Sequence, residues 1–306
     1  MEPETFRLPS ASGDADLNCC RWIPDGYVRA TLQISHGMIE HIMRYSDFAS
    51  FLCSYGIAVY GHDHLGHGNT SLDDPGYFGD EDGDELLISD LHTVCETVTR
   101  AHPAVPHFML GHSMGSFVAR RFITRYGGEL NGVIIMGTGN QPRVQVAFAK
   151  AVAGMLCWLR GPRYVSGFLN RAVLSSNDKR FDAPDLPNRW LSRDGGKVAE
   201  YDSDPMCQFR FTVSGFRDVF KMVSDLESRV DFDRIPTDLP VVFMSGSEDP
   251  IGGFGKGVMS ARDDLASAGL EPTLILYEGA RHEILNETNR DEVYEDILEW
   301  IDSLIR

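Results

Sequence analysis

The stretch His107-Phe108-Met109-Leu110-Gly111-His112-Ser113-Met114-Gly115-Ser116 constrains this chain more than any other. A short apolar run enters Gly-x-Ser-x-Gly and leaves as a helical pattern, with Met114, Phe117, Val118, Phe122 and Tyr126 on one face. In that context the pentapeptide predicts a sharp strand-to-helix turn that presents the serine hydroxyl. Gly111 and Gly115 leave room for the turn, because a Cβ at either place strikes neighbouring backbone. The helix amino terminus directs partial positive charge at an anion forming beside Ser113. A glycine-rich loop with a chance serine is the competing interpretation, and the rest of the chain decides between them.

On either side of this turn, strand and helix patterns alternate. A hairpin is expected up to Trp22, then a strand at 28–35, a helix at 45–55 stopped by Gly56, and a strand at 57–62. After an acidic loop at 73–84, Leu87, Leu91, Val94 and Val98 mark a helix that Pro103 ends, and another apolar strand is expected at 132–137. The rhythm resumes with strands at 239–245 and 273–277, a helix at 256–268 between them, and a closing helix bearing Val293, Ile297, Ile301 and Leu304. Continuous apolar strands alternating with helices predict an α/β class chain: a mostly parallel central sheet with helices on both faces. Residues 140–233 break the pattern, being helical, aromatic and irregular. The expected organisation is therefore a core of 1–139 and 234–306 with an inserted helical cap at 140–233.

A serine nucleophile needs a base, and the base an orienting carboxylate. In an open α/β sheet these come from loops at the carboxyl ends of strands. Asp249 follows the strand at 239–245, and His282 follows the strand at 273–277. The order Ser113, Asp249, His282 is the one an α/β-hydrolase uses. Glu248 is the rival acid; Asp249 is preferred because Asp-Pro favours a turn out of the strand end. The two oxyanion donors are expected to be the amides of Met114, next to the nucleophile, and Met38, in the loop His36-Gly37-Met38. His36 is expected to brace that loop.

The formal net charge of −17 argues against nucleic acid or an anionic membrane surface as the main partner, though brief contact with lipid through the cap is compatible with it. No basic-then-apolar leader and no apolar run of membrane-spanning length are seen. The six scattered cysteines lie mostly in apolar patterns without a Cys-x-x-Cys pair, as free thiols of a cytoplasmic protein do.

The segment His36-Gly37-Met38-Ile39-Glu40-His41 with Arg44-Tyr45 resembles the His-Gly-x-x-Glu-His…Arg-Tyr motif of monoacylglycerol lipases and related lysophospholipase-like α/β-hydrolases. Asp63-His64-Leu65-Gly66-His67-Gly68 is similar to that family's Asp-x-x-Gly-His-Gly turn, and Gly111–Gly115 matches its Gly-His-Ser-Met-Gly elbow. The resemblance implies an α/β-hydrolase fold and cleavage of a carboxylic ester of a single-chain lipid or similar small ester, without metal or organic cofactor. One departure is Ile39, where many relatives carry Gly. Within the cap, the helix at 144–159 is apolar around much of its circumference, so it is expected either to be buried or to meet lipid or an acyl chain. Met155, Trp158, Met206 and Phe211 are the expected substrate contacts, as a flexible apolar tunnel would need.

Rival readings start from other residues. His62, His64 and His67 form His-x-His-x-x-His, close to a zinc hydrolase motif, although Gly66 stands where that motif needs Asp. A small-ester carboxylesterase or thioesterase would use the same triad. An aminopeptidase would in addition aim cap carboxylates, Asp202 or Asp204, at a substrate ammonium. A binding protein that keeps the fold without the chemistry is the remaining class.

Overall fold

A computed structural model of the protein describes residues 1–174, 180–181 and 187–305. The expected segment 140–233 includes 175–179 and 182–186, which lie outside the described residues. The strands are β1 (Glu4–Pro9), β2 (Asp16–Trp22), β3 (Ala30–Ser35), β4 (Ile57–His62), β5 (His107–His112), β6 (Gly132–Met136), β7 (Val241–Gly246) and β8 (Thr273–Tyr277). They form one sheet in the order β1-β2-β4-β3-β5-β6-β7-β8. The β1–β2 and β2–β4 pairs are antiparallel, and all others are parallel.

Side-chain alternation along the central strands explains the two cores. Phe108, Leu110, Ile134, Met136, Val242 and Met244 face one way, against α1 (Ser46–Ser54) and α9 (Arg290–Leu304). Met109, Val133, Ile135, Val241 and Phe243 face the other way, where α2 (Gly83–Ala101), α3 (Met114–Tyr126) and α8 (Lys256–Ser267) lie. Both faces are covered, so the strands read as unbroken apolar runs. Cys19 and Cys20 fall into different clusters, as adjacent strand residues must.

Between β6 and β7 the chain forms α4 (Arg143–Arg160), α5 (Gly167–Leu174), α6 (Gly195–Ser203) and α7 (Val213–Glu227). Helix α7 joins this segment to the body, burying Phe216, Val219, Met222 and Leu226 in the same cluster as α2 and α3. Helix α4 packs on α7 but is only partly covered. Val146 and Ala153 are buried, while Phe148, Met155 and Trp158 are exposed, Trp158 by 84%. No helix among the described residues is long and apolar enough to cross a membrane.

Parallel register sets the level of the strand ends. Ser35 pairs with Gly111, His112 with Met136, and Gly246 with Tyr277. The loops after β3, β5, β7 and β8 therefore leave from one edge of the sheet, where ligand sites of open α/β folds lie.

Candidate active site

Ser113 sits between β5 and α3 at φ +53°, ψ −118°. Left-handed backbone at a non-glycine residue costs free energy and persists only where its surroundings enforce it. The neighbouring glycines supply that enforcement. A Cβ on Gly115 would lie 2.0 Å from the Ser35 carbonyl oxygen, and one on Gly111 2.4 Å from the Gly115 carbonyl oxygen. Strand β5, helix α3 and the end of β3 therefore close on one another only with hydrogen at these two positions.

The hydroxyl of Ser113 lies 2.8 Å from His282 Nε2, and His282 Nδ1 lies 3.0 Å from Asp249 Oδ1. A carboxylate only accepts, so Nδ1 carries the ring proton and Nε2 is free to accept from Ser113. Asp249 is fully buried and also takes the Ile251 amide at 2.8 Å and the Ser245 hydroxyl at 3.3 Å. His282 is held from behind, its amide bonded to the Trp190 carbonyl and its ring 4.8 Å from the Trp190 ring. Glu248 is half-buried, and its backbone bonds Ala280. No hydrogen bond joins it to His282 among the described residues.

Met38 and Met114 both line the cavity at Ser113. Met114 is the first residue of α3, so its N–H has no intrahelical acceptor. The Met38 amide makes no hydrogen bond among the described residues. His36 braces this loop: its Nδ1–H donates to the Gly37 carbonyl at 2.8 Å, and its Nε2 accepts the His64 amide at 3.0 Å. Gly37 must be glycine, since a Cβ there would stand 2.5 Å from Glu40 Oε1 and 3.1 Å from Ser113 Cβ. Ile39, the departure noted in the sequence, is buried at φ +58°, a region that disfavours β-branched residues and suits Gly.

Behind the loop is a buried charged network that sequence reasoning did not assign. Glu40 accepts from the Gly37 amide (2.5 Å), Tyr45 hydroxyl (2.9 Å), His112 Nδ1 (3.0 Å) and Arg44 (3.0 Å). Arg44 also grips Glu283 with two bonds of 2.6 and 2.7 Å. Burial works against the Glu40 charge, yet His112 and Arg44 hold its carboxyl well below the ordinary range. Burial likewise opposes charge on His112, but its bond to Glu40 raises it above the usual imidazole value. The network thus ties the Gly37–Met38 loop to the residue before Ser113 and the residue after His282. Its signal was present in the Glu-His…Arg-Tyr spacing, but the partner Glu283 lies 239 residues from Arg44 and no local pattern links them.

A cavity of about 530 Å³ opens on Ser113 and His282. It runs beneath the inserted helices, past Phe148, Val152, Phe168, Val219, Phe220 and Val223. The expected substrate contacts need correcting, because none of Met155, Trp158, Met206 and Phe211 lines it. Met155 and Trp158 lie on the solvent side of α4. Phe211 is buried against Phe78, Phe216 and His67, and Met206 sits half-buried in a 3₁₀ turn. Helix period placed apolar residues on α4 correctly, but it does not say which stripe meets α7.

The rival groups are engaged elsewhere. Asp202 accepts from Asn188 at 2.7 Å and Asp204 pairs with His41, and neither lines the cavity. His62, His64 and His67 pack with His36 as a buried nest, with His64 and His67 ring centres 6.4 Å apart. They do not converge as a ligand set among the described residues. Burial pushes His62 and His67 down to about 3, so these rings are neutral packing units.

Known proteins resemble the chain along most of its length. The family model described as serine aminopeptidase, S33, matches residues 26–289. Human monoglyceride lipase is 26% identical over 297 residues, spanning 93% of this chain and 86% of that protein. A monoacylglycerol lipase of Mycolicibacterium smegmatis is 28% identical over 294 residues, spanning 92% and 90%. Among solved structures, a thermostable carboxyl esterase from Bacillus coagulans in complex with glycerol superposes with a TM-score of 0.92 at 28% identity, over the whole of both chains. A monoglyceride lipase variant from Saccharomyces cerevisiae shares the fold with a TM-score of 0.78 at 23% identity, over 99% of this chain and 96% of the other.

Proposed function

The chain belongs to the serine aminopeptidase S33 family of α/β-hydrolases, and from that premise we propose that it is a carboxylic ester hydrolase acting on monoacylglycerol or similar single-chain lipid esters. The observation that carries this reading is the Ser113–His282–Asp249 relay at the mouth of an apolar-walled cavity. The names and structures of the lipase and esterase relatives support the ester class over the peptidase class, as does the engagement of Asp202 and Asp204 outside the cavity.

In this mechanism Ser113 attacks the ester carbonyl while His282 Nε2 takes its proton, and Asp249 holds the imidazole tautomer and stabilises the imidazolium. The amides of Met38 and Met114 receive the oxyanion. His282 then protonates the departing alcohol, and water repeats the sequence to release the acid. Residues 140–233 act as a cap, with the acyl chain lying along Val152, Phe220 and Val223. The glycerol-side oxygens meet the polar end of the cavity near Glu40 and Glu283. The overall negative charge favours neutral glycerol esters over phosphorylated lysolipids.

The test is kcat/KM for glycerol monoesters from acetyl to long acyl chains, with Ser113→Ala as the blank. Each methylene buried against the wall adds at most about 0.8 kcal/mol, or about fourfold, until the cavity is filled. A rise with chain length is expected. A maximum at acetyl or butyryl would replace the lipase reading with that of a small-ester esterase.

A further inference from the structure

Away from the relay, three side chains of metal-ligand type converge where the oxyanion loop meets the insertion. His41, Asp204 and Cys207 each place a ligand atom within 4.8 Å of the other two. His41 follows Glu40 on the loop after β3, whereas Asp204 caps and Cys207 ends the 3₁₀ turn Pro205–Cys207 between α6 and α7. We propose that these three residues form a binding site for a borderline-soft divalent transition metal of the zinc class, which fastens the insertion to the oxyanion loop.

Several features fit that chemistry. One nitrogen, one carboxylate and one thiol make the mixed donor set that zinc-class ions take, whereas calcium and magnesium require oxygen ligands throughout. His41 and Cys207 are buried, and Asp204, whose side chain is 26% exposed, is the member of the set through which solvent reaches it. Two ligands are pre-set by their own turn. Asp204 Oδ1 accepts the Met206 amide at 2.8 Å, and the Asp204 carbonyl accepts the Cys207 amide at 2.9 Å. The His41 ring is held by Nε2 at 2.7 Å from Asp204 Oδ2, while its Nδ1 is buried without a partner among the described residues. Arg44, the nearby cation, is neutralised by Glu40 and Glu283.

Metal bonds of about 2.0–2.3 Å set tetrahedral ligand atoms roughly 3.3–3.8 Å apart, so the His41–Asp204 contact opens slightly as Cys207 draws in. On binding, the Cys207 thiol proton leaves to solvent. The His41 ring proton must move from Nε2 to Nδ1 to free the Nε2 lone pair, and there it has no acceptor among the described residues, a cost that the metal bond has to offset.

The experiment is a titration of metal-free full-length protein with Co²⁺, read by absorption, and then with Zn²⁺, read by Tm. A thiolate-to-cobalt charge-transfer band saturating at one ion per chain is expected, with loss of the band on adding Zn²⁺ and a Tm rise in Zn²⁺. Cys207→Ser should remove both signals. Asp204→Asn, whose one oxygen can still accept the Met206 amide while its NH2 faces His41 Nε2 in the tautomer protonated at Nδ1, should weaken binding by more than about tenfold with a metal-free Tm close to that of the wild type. Absence of the band in the wild type overturns the proposal. So does its persistence in Cys207→Ser, which would assign the signal to the half-buried Cys157. Neither readout involves ester turnover, so the test is independent of the proposed activity.

Discussion

The carboxyl edge of the sheet and the insertion above it solve opposite problems with the same kinds of residue. At the edge, Ser113, His282 and Asp249 are held by strand register, by glycines that admit no Cβ, and by buried hydrogen bonds at every step. In the insertion, α4 shows large apolar side chains to both the cavity and the solvent, and only its contact with α7 is tightly packed. The edge therefore tolerates almost no change in position, while the insertion is defined by what it covers. Substitutions at the edge should fall on kcat, and substitutions in the insertion on the dependence of KM and of kcat/KM on the acyl chain.

The sharpest break is Ser113→Ala, which should abolish turnover and fluorophosphonate labelling, a loss of about 10⁶-fold in kcat, with Tm preserved. Next, Asp249→Asn should lower kcat by about 10⁴-fold through the wrong imidazole tautomer, while Glu248→Gln stays near wild type. If Glu248→Gln carried the loss instead, the carboxylate assignment would reverse.

Glu40→Gln tests whether the buried network belongs to the rigid edge. It should reduce kcat by about 10²-fold by loosening the Gly37–Met38 loop, with KM changed much less. It also has a pH signature. Glu40, held below its ordinary value, contributes stability fully above the unfolded value of 4.5 and loses it as pH falls through its lowered value. His112, raised above 6.5, contributes fully below that pH and loses it as pH rises through its raised value. An alkaline decline in Tm is therefore expected of the wild type and should be absent from the variant.

In the insertion, Phe220→Ala should lower kcat/KM for long-chain monoesters by about tenfold and leave acetyl esters unaffected, because only the former reach the wall. Trp158→Ala, on the exposed side of the same assembly, should change stability by no more than about 0.5 kcal/mol. Ile39→Gly sets two effects against each other. Relief of about 1–2 kcal/mol of left-handed strain offsets part of the roughly 2–5 kcal/mol lost with the buried side chain, so Tm should fall by only a few degrees.

The same contrast governs what was legible in the sequence. The strand at 57–62 is legible because a strand covered on both faces needs an unbroken apolar run, and the one at 273–277, a partly exposed edge strand, because Leu274-Ile275-Leu276-Tyr277 is a short apolar run closed by Gly279. Ser113, Asp249 and His282 were nominated together because each follows a strand end, and the structure brings them within hydrogen-bond distance. The residues of the cavity wall were not legible. Periodicity ranks the apolar positions of α4 but contains no reference direction, so Met155 and Trp158 were chosen where Val152 and Phe148 meet the cavity. The Arg44–Glu283 pair was hidden for another reason: it is made by two loops at one sheet edge, far apart in the chain.

The four-histidine nest beneath the His36–Met38 loop has a practical consequence for handling the protein. His36 serves as an acceptor for the His64 amide, a duty only its uncharged ring can perform, and burial holds it below its ordinary value. Its contribution is intact above pH 6.5 and is lost as pH falls through that lowered value, and those of His62 and His67 are lost as pH falls towards about 3. Of the ten histidines in the chain, these rings therefore stay silent to neutral-range titration and to histidine-directed acylating reagents. Exposure to acid, by contrast, should dismantle the loop's foundation before the apolar cores give way, so that inactivation precedes global melting as pH is lowered.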